Sequence, residues 1–436
     1  MTVQQISPFS IQKIGVKSLL SNDDMLTFYK KFCDAIKSHT WRFGKGRNSR
    51  YKEEDFLKVF FFSEILGRSI HESSELLNDY LQSGKRGRPR TFSDGRRKRS
   101  IPHQTEVNKY LRKIGFRKAQ KTLRECLDWQ LLDALEMRII SEKVNVLIDF
   151  TEHSYYGKRE DSMIKGTNRA KGTKKMRHYL GFSILSRETH LYAGLEQVAT
   201  GQSKIPIMLK FLEHLLDLGF KLGYVLMDRE FYRAELLDRI KGMGGEVIIP
   251  AKKYKKIKQY LIDYLKGTHG RVRKYTFSSK TAAKCRFSRH VYVIIKAKNQ
   301  FTLQGVKRDY RGGKISLDDA QKHLFLIMTT QKPRGKTSSW ASRTALFYRR
   351  RWLIETGFSD LNRINRRWKS NYDNIRYLDM LARLLIYNSW KMNRNMVQKM
   401  GKQGYKKRAW TLNRNKDVLV NCLLSNIKKS ENKLTT

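Results

Sequence analysis

The sequence predicts an α/β protein whose core is a mixed sheet flanked by helices, with a β-rich insertion and an all-α N-terminal region. Apolar residues recur at helical spacing from Ser21 to about Ile140. Runs rich in branched and aromatic residues follow Lys143, after which helical and strand-like segments alternate as far as Pro250. The 436 residues are too many for one ordinary core, and a hydrophobic content of 40 % can fill several.

The charge balance restricts the partners of this protein. Its 90 lysines and arginines face 40 aspartates and glutamates, which gives a formal net charge of +50. Such a charge repels itself unless a polyanion shares it, and the closely spaced phosphates of nucleic acid are the simplest polyanion. No membrane partner is expected, because no apolar run approaches the ~18 residues of a spanning helix and the basic residues are spread along the chain.

The location predicted from the sequence is cytoplasmic and associated with the nucleoid. Residues 1–10 contain no basic stretch followed by an apolar run, so nothing indicates a secretory signal. The four cysteines are far apart and form no C-x-x-C unit near histidines. We therefore expect reduced thiols and no structural zinc site.

Residues 1–140 are predicted to be a helical DNA-binding region. The helices before Ser83 and after His103 are candidates for a helix-turn-helix. Residues 84–100, GKRGRPRTFSDGRRKRS, combine glycine, proline and basic residues and predict a linker or a basic arm. Two helix faces carry the apolar repeat: Phe56, Val59, Phe60 and Ser63, then Leu123, Leu127, Leu131 and Leu135.

Residues 141–250 are predicted to be the first part of a catalytic domain, with the order β-β-β-α-β-α-β. VNVLIDF, YLGFSILS and HLYAGLEQVA are the first three strands. Residues 251–340 predict the β-rich insertion, with the strands KYTFSS, HVYVIIKAK and HLFLIMTT and no long helix. Helices in 341–400 complete the domain, and 401–436 form a basic tail.

Two aspartates stand where predicted buried strands end. Asp149 follows the apolar run 144–148, and Asp228 follows the run 222–227. Ligands of an open sheet bind outside such strand ends, so neighbouring strands would present both carboxylates to one point. For either residue alone, a turn in which the aspartate bonds to its own backbone is an equally good interpretation.

A third acid, Glu355, lies in the segment YRRRWLIETGFSDLNR. Tyr348, Arg351 and Glu355 are spaced i, i+3 and i+7, which places them on one stripe of a helix. Spacing alone favours an exposed helix in which Arg351 and Glu355 form an ion pair worth only ~0.3–0.5 kcal/mol.

Together the three segments resemble the motifs of DDE-type insertion-sequence transposases of the Y-R-E-K signature branch. The matching pieces are IDFTEHSYYG around Asp149, VLMDREFYR around Asp228, and the residues Tyr348, Arg351 and Glu355. The resemblance covers about residues 143–395 and implies an RNase H-like catalytic core. It also implies a homodimer in the DNA complex.

One residue departs from that signature. The position of its lysine is occupied by Asn362. Arg363 is adjacent, and Arg366 would return to the helix face of Glu355. One of these arginines is expected to replace the lysine as a phosphate contact, although arginine and lysine differ in geometry.

The resemblance implies a role for each motif residue. Asp149 would bridge two Mg²⁺ (or Mn²⁺) ions, and Asp228 and Glu355 would each hold one, so that water and then the liberated 3′-hydroxyl attack successive phosphates. Tyr348 and Arg351 would hold the DNA backbone beside the scissile bond. Arg229, within the Asp-Arg-x-Phe motif, is a further candidate DNA contact.

Two basic segments are candidate DNA contacts. KRGRPR resembles an AT-hook, although a non-specific phosphate-binding arm is equally compatible with it. The run 165–178 is expected to be a loop that grips DNA, with a solvated loop as the alternative. Trp340 is expected in the core rather than stacked on a flipped base. The candidate side chains are Lys85, Arg86, Arg88, Arg90, Lys174, Lys175 and Arg177.

The function predicted from the sequence is DNA transposition. It comprises metal-dependent cleavage at insertion-sequence ends and strand transfer into target DNA, so the partner is double-stranded DNA. Two alternatives remain open. One is an RNase H-like nuclease without strand transfer, and the other is a catalytically inactive DNA-binding protein.

Overall fold

The computed structural model describes residues 51, 53–83, 101–158, 161–170, 172–186, 189–280, 286–298, 300–364, 370 and 372–401, with 412, 413, 416, 419 and 420. Lys85, Arg86, Arg88, Arg90 and Arg366 lie outside these residues. The chain forms two compact units, one of residues 1–126, 364–368 and 372–436 and one of residues 127–363 and 369–371.

Helices and strands largely follow the predicted order. The first helices among the described residues are α1 Glu53–Leu66, α2 Ile70–Ser83, α3 Gln104–Lys113 and α4 Phe116–Glu136. It continues with β1 Lys143–Ser154, β2 Ile164–Ala170, β3 Thr173–Ser186, β4 Thr189–Val198, α5 Ile205–Asp217, β5 Lys221–Met227, α6 Ala234–Gly242 and β6 Glu246–Pro250. Next come α7 Lys255–Lys266, β7 Val272–Lys280, β8 Arg286–Ala297, α8 Leu303–Arg311, α9 Leu317–His323 and β9 Leu324–Thr329. The last helices are α10 Thr337–Tyr348, α11 Trp352–Ile364 and α12 Asp373–Gly401.

The first unit is helical, as predicted for the N-terminal region. It contains α1 to α3, the first half of α4, and α12. The predicted apolar face of α1 is buried. In the same core, Arg383 of α12 contacts Asp379 at 2.7 Å and Glu64 of α1 at 3.8 Å. Residues 373–400 thus lie with the N-terminal helices, whereas the sequence pattern placed them with the catalytic segment 341–400.

The second unit is built on one mixed sheet, which confirms the predicted fold class. Its described strands lie in the order β2-β3-β1-β5-β6-β9-β8-β7, and β4 also pairs with β3. β1, β5 and β6 are parallel, whereas β1 with β3 and β3 with β4 are antiparallel. The order β4-β3-β1-β5-β6, with three antiparallel and then two parallel strands, is the RNase H-like core.

Residues 251–340 supply three strands, as predicted, and these strands extend the main sheet. β9 pairs with β6, β8 with β9, and β7 with β8, all antiparallel. The expectation of no long helix is wrong, because α7 has 12 residues. Its buried Ile257, Leu261, Tyr264 and Leu265 have the i, i+4, i+7, i+8 spacing of an amphipathic helix.

The expectation of a loop at 165–178 is also wrong. β2 and the start of β3 pair as antiparallel strands, with Ile164 opposite Arg177 and Ala170 opposite Thr173. β2 lies at the edge of the sheet. An edge strand accommodates lysines and glycines that would be unusual in a buried strand, which is why the apolar pattern did not reveal it.

Helix α10 packs on the part of the sheet that β9 and β8 extend. Trp340 belongs to this core with strand residues including Leu226 and Ile327. Its indole Nε1 donates a hydrogen bond to Gln331 Oε1 at 3.0 Å. Trp340 is therefore the core residue that was expected. No described helix has both the length and the apolar character to cross a membrane.

Candidate active site

The two aspartates meet because their strands are in register. In the parallel pair β1 and β5, Ile148 is aligned with Met227. Asp149 and Asp228 are the residues that directly follow this aligned pair in the chain. β1 continues past Asp149 to Ser154, still paired with β3. β5 ends at Met227, and a short 3-10 helix follows Asp228. Both side chains are half-buried at one edge of the sheet.

Arg351 joins the first acid to the third. Its Nη1 donates to Asp149 Oδ2 at 2.6 Å, and its Nη2 donates to Glu355 Oε1 at 2.5 Å. The side chains of Arg351 and Asp149 are each 14 % exposed, whereas Glu355 is 40 % exposed. The predicted ion pair between Arg351 and Glu355 is present. The interpretation that this pair lies on an exposed helix is wrong, because the guanidinium also donates to Asp149 on a buried strand, 202 residues away in sequence.

The charges of this cluster influence one another. The pKa of Asp149 is raised to about 6, mainly by burial and also by the negative charges of Glu355 and Asp228, against the attraction of Arg351. Burial opposes the charge of Arg351, but Tyr348, Asp149 and Glu355 together raise the pKa of its guanidinium. Glu355 and Asp228 are therefore both close enough to Asp149 to act on its charge, and additional positive charge beside Asp149 would be favourable.

Tyr348 connects α10 to the strand that ends beside Asp228. Its hydroxyl donates to the backbone oxygen of Met227 at 3.3 Å. Burial raises the pKa of Tyr348, Arg351 lowers it, and Asp228 and Asp149 raise it, which places its ring among the same charges. Residues 349–351 form a 3-10 turn between α10 and α11. The single helix that was predicted to carry Tyr348, Arg351 and Glu355 on one face is thus interrupted, yet these three side chains still reach one site.

Two glycines let α11 approach the sheet closely. Gly181 is paired with Asp149 in the sheet, and a Cβ there would meet the ring of Phe358 on α11. A Cβ at Gly357 would lie 2.7 Å from the hydroxyl of Tyr192 on β4. That hydroxyl donates to the backbone oxygen of Ile354 at 3.3 Å. These contacts fix the helix turn that carries Glu355.

The sequence reasoning missed these positioning residues. A glycine inside a strand pattern, as in YLGFSILS, indicates close approach of another element, and that signal could have identified Gly181. No comparable signal marks Tyr192, because its partner on α11 is 162 residues away in sequence.

The chain matches the family model described as Transposase DDE domain over residues 141–389. This protein belongs to the DDE transposase family. Members of this family cleave and transfer DNA strands with divalent metal ions, and the RNase H-like core agrees with that assignment.

Solved structures to which the chain is similar include two transposase complexes. One is the cryo-EM structure of the piggyBac transposase synaptic complex with hairpin DNA, with 12 % identity, a TM-score of 0.48, and coverage of 93 % of this chain and 77 % of that chain. The other is the Drosophila P element transposase strand transfer complex, with 9 % identity, a TM-score of 0.26, and coverage of 93 % and 86 %. No curated protein sequence matches the chain significantly.

The Asp-Arg-x-Phe segment of this DDE transposase domain is anchored by its phenylalanine. Phe231 stacks on Phe150 with ring centroids 5.2 Å apart. Lys204 lies over the Phe150 ring at 4.2 Å and contacts Glu230 at 3.1 Å. The turn after Asp228 is thereby held against the strand that carries Asp149, while Arg229 is exposed.

The other predicted DNA contacts of the DDE transposase domain differ in accessibility. Lys174 is exposed, and Lys175 is half-buried. Arg363 is exposed and lies 3.6 Å from Asp360. Arg177 is fully buried, with its guanidinium 4.8 Å from the centre of the Tyr155 ring. The predicted DNA contact by Arg177 is therefore wrong, because β3 directs this side chain into the protein.

A basic and aromatic cleft opens beside Arg351 in the DDE transposase domain. Its volume is about 620 Å³. Burial and the charges of Arg349 and Arg271 lower the pKa of Lys296 in its wall, which indicates concentrated positive charge. Trp352 is 69 % exposed at its rim. Its lining residues include Lys296, Lys298, Phe325, Tyr348, Arg349, Arg351 and Trp352.

Proposed function

We propose that this DDE transposase cleaves DNA at the ends of an insertion sequence and transfers those ends into target DNA, with Asp149, Asp228 and Glu355 as the catalytic acids. The bridge from Arg351 to both Asp149 and Glu355 is the observation that carries the proposal, because it brings the helix acid to the strand acids. The register of β1 and β5 supplies the second acid.

The three acids fit two Mg²⁺ or Mn²⁺ ions. Hard divalent ions prefer carboxylate oxygens. Burial raises the pKa of Asp149, and bound cations would favour its ionised form. Asp149, Asp228 and Glu355 would be the protein ligands of these ions. Such ions orient the nucleophile and neutralise the attacking and leaving oxygens.

Arg351 and Tyr348 position the DNA strand in this proposal. The Arg351 guanidinium is a planar donor fork suited to phosphate as well as carboxylate. In this proposal Arg351 would direct donors to the phosphate beside the scissile bond. Tyr348 holds α10 against the end of β5, and so maintains the distance between Arg351 and Asp228.

The reaction proceeds in two balanced displacements. Water attacks the phosphate at the element end, and the bond to the 3′ oxygen breaks, which leaves a 3′-hydroxyl and a 5′-phosphate. That 3′-hydroxyl then attacks a target phosphodiester, forms a new bond to the phosphate and releases a target 3′-hydroxyl. No covalent enzyme intermediate is required.

The partner in this proposal is double-stranded DNA, from element ends and target, bound by a homodimer in the cytoplasm near the nucleoid. The net charge of +50 supports the choice of DNA. Among the residues that the structure describes, the proposed DNA contacts are Arg229, Lys174, Lys175, Arg363 and the basic cleft beside Arg351. The remaining proposed contacts are Arg366 with Lys85, Arg86, Arg88 and Arg90, in residues that the structure does not describe.

The test compares wild type with Asp228→Asn on duplexes from the DNA that flanks the gene, with Mg²⁺, Mn²⁺ or chelator. Asp217→Asn, an exposed aspartate on α5, is the matched control. We expect all proteins to bind DNA, and only wild type and the control to make metal-dependent nicks whose 3′-hydroxyls join other DNA. Cutting without joining would support a nuclease, and binding without cutting would support an inactive DNA-binding protein.

A further inference from the structure

Three potential metal ligands meet in the helical unit, which does not include the carboxylates of the catalytic domain. His71 and Glu75 are one turn apart on α2, and His103 is the N-cap of α3. One ligand atom from each lies within 4.8 Å of the other two. His71 Nδ1 is 3.9 Å from Glu75 Oε1, and the two imidazole rings are 5.9 Å apart.

The backbone around these ligands is held in place by other contacts. The buried Ser74 Oγ donates to the backbone oxygen of Pro102 at 2.7 Å, which ties the residue before His103 to α2. Ile101 is 2 % exposed. The backbone N–H of His103 donates to Glu106 Oε2 at 3.1 Å as part of a capping box. Only side-chain rotations are therefore needed to bring the three ligand atoms to one ion.

The donor set determines which ion would bind. Two imidazoles and one carboxylate suit Zn²⁺, with water as a fourth ligand, whereas Mg²⁺ prefers oxygen ligands. His103 Nδ1 lies 3.0 Å from Thr105 Oγ1. If Nε2 binds the ion, Nδ1 carries a proton; it would then give up the 3.4 Å hydrogen bond that it accepts from the backbone N–H of Thr105 and donate to that hydroxyl instead.

We propose that His71, Glu75 and His103 form a zinc site that links α2 to the start of α3. The ion would tie the first turns of α2 to the start of α3, and these two helices flank the basic segment 84–100 in the sequence. The site is separate from the proposed catalytic acids in chain position and in donor chemistry. An ordinary weak pair of a histidine and a glutamate at i and i+4 would explain the contact between His71 and Glu75. It would not explain why the imidazole of His103, from another helix, lies beside them.

The experiment measures Zn²⁺ binding by the untagged full-length chain in excess Mg²⁺, by calorimetry and by the visible spectrum of Co²⁺ in place of Zn²⁺. All proteins carry Asp228→Asn, which removes one proposed catalytic metal ligand. His103→Asn is the main variant, because asparagine retains N-cap capacity but lacks the imidazole. His269→Gln is the matched control, since His269 is exposed and lies 3.8 Å from Asp263.

We expect one Zn²⁺ per chain in the parent, a tetrahedral Co²⁺ spectrum, and loss of both in His103→Asn but not in His269→Gln. His71→Gln provides a second test if His103→Asn loses helical circular dichroism. Equal zinc binding by the parent and both histidine variants would place the ion elsewhere and overturn the proposal. A parent that binds no zinc would overturn it as well.

Discussion

Adding one methyl group at Gly357 tests how closely the position of Glu355 depends on the packing of α11. A Cβ there would lie 2.7 Å from the hydroxyl of Tyr192 and 2.9 Å from Cε1 of His190, whereas ordinary contact begins at 3.4 Å. The helix or the ring must move by about 0.7 Å, that is 3.4 − 2.7. Tyr192 and His190 are both buried, so neither ring can rotate away freely.

Two effects of Gly357→Ala on the free energy of unfolding oppose each other. Alanine favours the helix by ~1 kcal/mol relative to glycine, whereas overpacking costs ~1–3 kcal/mol. We expect Gly357→Ala to lower the free energy of unfolding by about 0–2 kcal/mol, the difference between these effects. Because a misplacement of ~1 Å can cost ~10²-fold in rate, we expect DNA cleavage to fall by about 10-fold or more.

The assay is single-turnover cleavage as a function of Mg²⁺ concentration, with unfolding in urea measured in parallel. Gly242→Ala is the matched control, because Gly242 ends α6 and a Cβ there meets no atom within 4 Å. Adding Tyr192→Phe to Gly357→Ala removes the hydroxyl from the nearest contact and should restore part of the rate. Cleavage by Gly357→Ala at the rate of Gly242→Ala would refute the positioning role.

Three further predictions concern charged groups. Arg351→Lys should reduce cleavage much more than DNA binding, because one ammonium cannot reproduce the two bonds of the guanidinium to Asp149 and Glu355. Arg350→Lys, at an exposed residue, is the control, and equal cleavage rates for the two variants would contradict the prediction. Because the pKa of Asp149 is raised to about 6, metal-free wild type should lose stability as pH rises from about 4 through 6. Asp149→Asn should abolish that slope in thermal unfolding, and an unchanged slope would show that another group titrates. Arg383→Met should lower the free energy of unfolding by ~3–5 kcal/mol, because it leaves Asp379 and Glu64 as buried charges. The control is Lys221→Met, which removes one partner of an exposed pair with Glu142 and should change the free energy of unfolding by under ~1 kcal/mol.

The sequence was sufficient to predict features that depend on neighbouring residues. Asp149 and Asp228 could be assigned to strand ends because each follows a buried apolar run, and the order of strands then indicated the core. α7 was missed, although Ile257 and Leu261 have helical spacing, because its tyrosines and lysines suited strands and basic connections equally well. β2 was missed because an edge strand needs no apolar face.

Contacts between distant segments could not be predicted in this way. The contact of Arg351 with Asp149 depends on how α11 lies on the sheet, and that depends on Gly181, Gly357 and Tyr192. The burial of Arg177 depends on which side of β3 faces the protein. His71 and His103 are similarly brought together by tertiary packing, and an expectation about zinc based on cysteines alone could not include them.

The alignment of Ile148 with Met227 has a consequence for biosynthesis. Asp149 and Asp228 become neighbours when β1 and β5 pair, whereas Glu355 lies on α11, which follows β9 in the chain. Since domains fold as the chain emerges from the ribosome, a nascent chain that ends before α11 has two acids and no third. Under the proposed assignment, incomplete chains can bind chromosomal DNA by their positive charge without nicking it.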